Sequence, residues 1–213
     1  YGMATFFTSS ERFLVFLFRH AGTYIPQISI PMFVDNIRAD TKNVVLPAED
    51  KLLNKHLKNR RDSNTRVNLN LIGEVVLGEA EAQTRMDKYL EALENPNIDY
   101  LSVKISTIYS QINPLAFEQT VTELVPRLKK IYLQAKNHPF KNSKGESEYK
   151  FVNLDMEEYR DLSITVEAFK QALDDPDLFD YKAGIVLQAY LPDAHVWQKN
   201  LTEWAKKRVA VGG

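Results

Sequence analysis

Three polar side chains lie within runs that otherwise read as buried β-strands. Lys104 sits in Tyr100-Leu101-Ser102-Val103-Lys104-Ile105-Ser106, Asp155 ends Phe151-Val152-Asn153-Leu154-Asp155, and Gln188 lies in Gly184-Ile185-Val186-Leu187-Gln188-Ala189-Tyr190. An ammonium in such a place costs several kcal/mol unless it is paired or faces a wet pocket. Lys104 is therefore either half of a structural ion pair with Asp155 on the next strand, or a group that recognises a ligand carboxylate or charges an electron-accepting ring. Asp155 precedes Met156-Glu157-Glu158. Helix N-terminal charge complementing the dipole accounts for Glu157 and Glu158 better than for Asp155, which sits on the strand itself. Gln188 is buried by pattern and must be hydrogen-bonded, either to backbone or to the edge of a planar heterocycle such as a flavin pyrimidine. Tyr109 and Tyr190 are pocket candidates, although core packing is the commoner fate of such rings.

These residues need elements to position them. From residue 67 onward, β-rich runs alternate with segments of helical period. The strands expected are 67–72, 100–106, 151–155 and 183–190. The helices expected are about 79–94, 114–136 and 162–173, with a last one starting at Asp193 as N-cap. The 114–136 segment carries Phe117, Val121, Leu124, Val125, Leu128, Ile131 and Tyr132 in one apolar stripe, and the last carries Val196, Trp197, Leu201 and Trp204. Val209-Ala210-Val211 reads as the start of a further element. The polar run 137–150 reads as a surface loop. Strands separated by helices imply βαβ units and a parallel sheet. Each strand has a polar residue near its C-terminal end (Asn70, Lys104, Asp155, Gln188), which is where barrels and open α/β sheets place their chemistry. Residues 1–66 differ: they hold Pro26, Pro31, Pro47 and a basic cluster, and read as a mainly helical arm or cap, with 67–213 as the second domain.

Composition excludes several classes. The chain has 213 residues, 44% hydrophobic and 26% charged, which suits a globular fold with a sizeable core. With 27 basic and 28 acidic residues, the net charge of -1 supports no nucleic-acid reading. Lys51, Lys55, Lys58, Arg60 and Arg61 lack interleaved aromatics and read as a solvated helix face. Cysteine is absent, so disulfides and thiolate metal sites are excluded and a reducing compartment is expected. The four histidines, far apart in sequence, give no metal-binding pair. Phe13 to Phe18 is too short to span a bilayer, which needs about 20 residues. It reads as a buried segment. No Gly-rich phosphate loop follows the first strand.

Val103-Lys104-Ile105-Ser106, Asn153 to Glu158 and Gly184 to Tyr190 resemble strands two, three and four of the proline dehydrogenase domain. Leu71-Ile72-Gly73-Glu74 resembles the L-G-E at the end of its first strand. The resemblance covers about residues 65–213, in order and with compatible spacing. It implies a distorted (β/α)8 TIM-like barrel, here about its first four βα units. It also implies FAD-dependent oxidation of L-proline to Δ1-pyrroline-5-carboxylate, with electrons passed to a quinone. By this resemblance Lys104 lies next to the flavin and the substrate carboxylate, Asp155 helps close the site over proline, and Gln188 hydrogen-bonds the isoalloxazine. The family further implies a cytoplasmic enzyme, peripheral association with the inner membrane in some members, and a fused aldehyde dehydrogenase domain in the bifunctional proline utilisation protein.

Two departures accompany the resemblance. Asn70 stands where many members have an aspartate. The family's fifth strand and its carboxylate-gripping arginines are expected past Gly213, so these 213 residues taken alone are expected to be inactive and to hold FAD poorly. Two alternatives follow from the residues. One is a non-catalytic half-barrel that self-associates through exposed edges. The other is a hydrolase built on a carboxylate pair, Glu74 and Asp155.

Overall fold

The computed structural model describes residues 12–13, 15–16, 18–22, 24–41, 45–46, 49–71, 73 and 76–213. The chain divides into two units, 1–56 and 57–213.

The first unit contains a π turn, Phe18–Gly22, helix α1 (Pro26–Thr41) and the start of helix α2 (Asp50–Asp62). Phe18 stacks on Phe33 with ring centroids 5.0 Å apart. Among the described residues of the Phe13–Phe18 run, expected to be buried, Phe13, Val15 and Phe16 are exposed and Phe18 is half-buried. The basic residues of α2 face solvent as expected, apart from the half-buried Arg60.

The second unit is built on a four-stranded parallel sheet. Its strands are β1 (Asn68–Asn70), β2 (Tyr100–Lys104), β5 (Phe151–Asp155) and β6 (Gly184–Ile185), hydrogen-bonded in the order β1-β2-β5-β6. Helices follow each strand: α3 (Glu79–Glu94) after β1, the short α4 (Ile105–Ile108) and long α5 (Phe117–Asn137) after β2, α6 (Leu162–Leu173) after β5, and α7 (Ala194–Ala210) after β6. Four βα units therefore succeed one another across a parallel sheet in chain order, as on one side of a (β/α)8 barrel.

The strands alternate rather than run apolar on both faces. Leu69, Leu101, Val103, Val152, Leu154 and Ile185 join one core with Tyr89 and Leu93 of α3, Leu124, Leu128 and Ile131 of α5, and Phe169 of α6. Each large side chain buried this way contributes about 1.5–3 kcal/mol. The opposite face carries Asn68, Asn70, Ser102, Lys104, Asn153 and Asp155, set side by side by the strand register. A strand's two-residue period makes this division automatic once one face meets the helices.

Several expectations need correction. The fourth strand is two residues long and leaves Gln188 beyond it. The run 137–150 holds a hairpin, β3 (Phe140–Lys141) paired with β4 (Ser147–Glu148), turned by Asn142 and by Gly145 at φ +80°. At its end Lys150 is buried, not exposed. Its Nζ donates to the Leu93 and Asn95 carbonyls at 2.6 Å each, supplying donors to the C-terminal end of α3. Asp193 makes no side-chain cap to α7; its carboxylate accepts the Tyr159 hydroxyl instead. Trp197 and Leu201 pack on Met156, Leu162 and Val166, and Trp204 meets Phe169, whereas Val196 is exposed. Val209 and Ala210 end α7 rather than begin a new element.

Candidate functional site

Lys104 is the last residue of β2. The chain turns at once into α4, and Thr107 Oγ1 closes that turn on the Lys104 carbonyl at 2.8 Å. This geometry delivers the ammonium to the C-terminal end of the sheet. Asp155 ends β5 as the register partner of Lys104. Both line a cleft of about 240 Å³ together with Ser106, Glu157, Asp161 and Thr165.

The Lys104–Asp155 ion pair offered by the sequence does not form. Lys104 Nζ instead pairs with Glu157 Oε1 at 2.6 Å, its side chain only 16% exposed. Ser106 Oγ donates to the other oxygen of Glu157 at 3.3 Å. Asp155 is occupied by three donors. Asn153 Nδ2 and Ser102 Oγ approach Oδ1 at 2.8 and 3.2 Å, and Asn70 Nδ2 approaches Oδ2 at 3.3 Å. Asn70, Ser102 and Asn153 form one row across β1, β2 and β5, so register alone gathers them beneath the carboxylate. An ionised aspartate at position 70 could not donate this bond, so the asparagine suits Asp155 as it stands.

Gln188 is half-buried rather than buried. Its Nε2 donates to the Glu157 main-chain carbonyl at 3.0 Å. Glu157 therefore touches two of the three predicted site residues, through its carboxylate and through its carbonyl. Read in sequence as helix-terminal charge, it proves to be the ion-pair partner. Its place two residues past the C-terminal end of β5 was the available signal.

Asp161 escaped the sequence reading entirely. It is 5% exposed, and its Oδ1 makes no hydrogen bond among the described residues. Burial raises its carboxyl above the usual carboxylate range, while Arg160 opposes the shift. Tyr109 is buried under the Arg127 guanidinium, 4.8 Å from its ring centre, and Tyr190 is exposed, so neither lines this cleft. Glu74 lies outside the described residues.

The donor set fits the pyrimidine edge of a flavin. Lys104 has two ammonium protons not used by Glu157, and Gln188 Oε1 accepts no bond among the described residues. A cation and an amide acceptor, each bonded to Glu157, are group types that suit a ring edge alternating carbonyl and N–H.

The model of the family described as proline dehydrogenase matches residues 53–212. The solved structure of proline utilization A from Corynebacterium freiburgense is 34% identical, covering 99% of this chain and 20% of its own, with a TM-score of 0.74. That from Bdellovibrio bacteriovorus, inactivated by N-propargylglycine, is 34% identical over 72% of this chain and 17% of its own, with a TM-score of 0.62. The bifunctional protein PutA of Escherichia coli is 27% identical over 139 residues, which is 59% of this chain and 10% of that protein. The chain thus spans about a tenth of the curated relatives it matches.

Proposed function

Because this chain belongs to the proline dehydrogenase family, we propose that its second unit forms one side of a site for the FAD-dependent oxidation of L-proline to Δ1-pyrroline-5-carboxylate. The observation that carries this reading is the position of Lys104. A little-exposed ammonium stands at the C-terminal end of a parallel strand, in one cleft with Asp155, and joined through Glu157 to Gln188.

When bound, FAD supplies the electron acceptor for the hydride leaving proline, and a quinone receives the electrons afterwards. The chain's own residues supply placement and electrostatics. Lys104 offers its remaining protons to carboxylate and ring oxygens, where a charge-assisted bond is strongest. Asp155, oriented by three donors, presents its carboxylate toward the substrate ammonium. Gln188 keeps its amide fixed through Nε2 and presents Oε1 to a ring N–H. A fused aldehyde dehydrogenase domain would take the product onward, in the cytoplasm or at the inner membrane surface. No helix among the described residues is long and apolar enough to cross a membrane.

The test is proline-dependent reduction of a dye by the FAD-loaded polypeptide that carries this sequence. Turnover that falls at least about tenfold in Lys104→Ala supports the reading. Turnover of proline untouched by both Lys104→Ala and Asp155→Ala overturns the site.

A second reading rests on the sheet edges. Among the described residues β1 and β6 each pair on one side only, and unpaired edges favour association with another copy. Light scattering of the 213-residue chain separates the two: a flavin-free dimer supports a self-associating, non-catalytic unit.

A further inference from the structure

We propose that Glu157 is a positioning residue of this site, holding Lys104 and Gln188 in one frame. The inference rests on the reading of those two as flavin-side groups. Four observations carry it. Glu157 Oε1 takes the Lys104 ammonium at 2.6 Å. Its other oxygen takes Ser106 at 3.3 Å, so the carboxylate is gripped from the last residue of β2 and from the segment that follows it. Its main-chain carbonyl takes Gln188 at 3.0 Å from the segment that follows β6. It sits two residues beyond β5, on the segment between them. One residue thus links the ends of three strands, and no other side chain among the described residues pairs with Lys104.

The need for such a link is physical. A lysine has four rotatable side-chain bonds and, unrestrained, samples many positions at little cost. Asp155, its register partner, is already occupied by Asn70, Ser102 and Asn153. Without Glu157 the ammonium would have no fixed place, and its field at the ring would be averaged over its rotamers. Glu157 itself is 44% exposed at the side chain, so its removal disturbs little packing. It acts through Lys104 and is not itself a catalytic residue.

The experiment is a double-substitution cycle on the FAD-loaded polypeptide, read as the FAD dissociation constant by flavin fluorescence and, in parallel, as proline turnover. Glu157→Ala is expected to weaken FAD about tenfold in the native background and by less than about twofold when Lys104 is already alanine. Glu157→Gln, which keeps an oxygen for Lys104, is expected to lose less than Glu157→Ala in both readouts. Equal losses with and without Lys104 overturn the proposal, because a merely structural role would add to the Lys104 effect. Lys104→Ala with FAD binding and turnover unchanged overturns the site reading and the proposal together. Lys104→Ala with a large loss beside a silent Glu157→Ala overturns the proposal alone.

Discussion

Lys104 and Asp155 face each other as register partners on β2 and β5, yet the ammonium pairs with Glu157 at 2.6 Å and leaves the aspartate to three neutral donors. The two groups therefore belong to separate networks within one cleft. Lys104→Ala and Asp155→Ala are each expected to lower stability by less than about 1.5 kcal/mol and to add within about 0.5 kcal/mol. Urea denaturation of the two single variants and the double checks this. A coupling above about 1 kcal/mol would mean that the two charges interact directly after all.

Gly184 pairs with Asn153 across β5 and β6. A Cβ there would lie 2.5 Å from Asn153 Oδ1 and 2.9 Å from the Phe151 ring. Gly184→Ala must push Asn153 aside, and Asn153 is the shortest donor to Asp155 at 2.8 Å. The expected loss is about 1–3 kcal/mol from overpacking, with proline turnover falling alongside. Thermal unfolding measured beside dye reduction checks it; a fully stable, fully active alanine variant would show that the strand has room.

Lys150 is 1% exposed and both terminates α3 and makes stability depend on pH. Replacing it with Met removes the donors of the Leu93 and Asn95 carbonyls, for a loss of about 1–3 kcal/mol. Burial pushes the Lys150 ammonium from 10.5 down to about 8, with the nearby Asp99 charge opposing the shift. Between those values the unfolded chain keeps a proton that the native chain has released. Stability from this group therefore rises with pH across that window, and the cost of the buried charge is fully present below about 8. Chemical denaturation of wild type against Lys150→Met at several alkaline pH values should show wild type gaining ground.

Asp161 gives the opposite sign at the acid end. Its native carboxyl holds a proton more tightly than in the unfolded chain, because burial penalises the charge. Stability from this group is thus lowest at neutral pH and rises as pH falls through the carboxylate range. Asp161→Asn is expected to be more stable than wild type at neutral pH, with the gap closing in acid. A variant less stable at neutral pH would mean that the charge interacts favourably with the start of α6.

Local pattern made much of this fold legible. Helices Glu79–Glu94 and Leu162–Leu173 and strand Phe151–Asp155 fall where periodicity and flanking residues put them. Each is long enough for its repeat to stand out against chance. Gln188 was placed on a buried strand because Val186 and Leu187 look the same in a short strand and in an extended segment that leaves the sheet. Lys150 looked like loop surface because nothing nearby in sequence reveals the two carbonyls of α3 that require it.

The candidate site divides in the same way. The residue types at 104, 155 and 188, and the place of Lys104 and Asp155 at the ends of successive strands, were set by the sequence alone, since strand period and βα alternation are properties of neighbouring residues. Which charge pairs with which was decided only by tertiary structure. Register brings Asn70, Ser102 and Asn153 into one row, drawn from positions 83 residues apart at the extremes. Their donors occupy Asp155, and the two residues beyond β5 carry Glu157 to Lys104. Ion-pair energy falls steeply with distance, so partners are chosen by the packed chain and not by the order of residues along it.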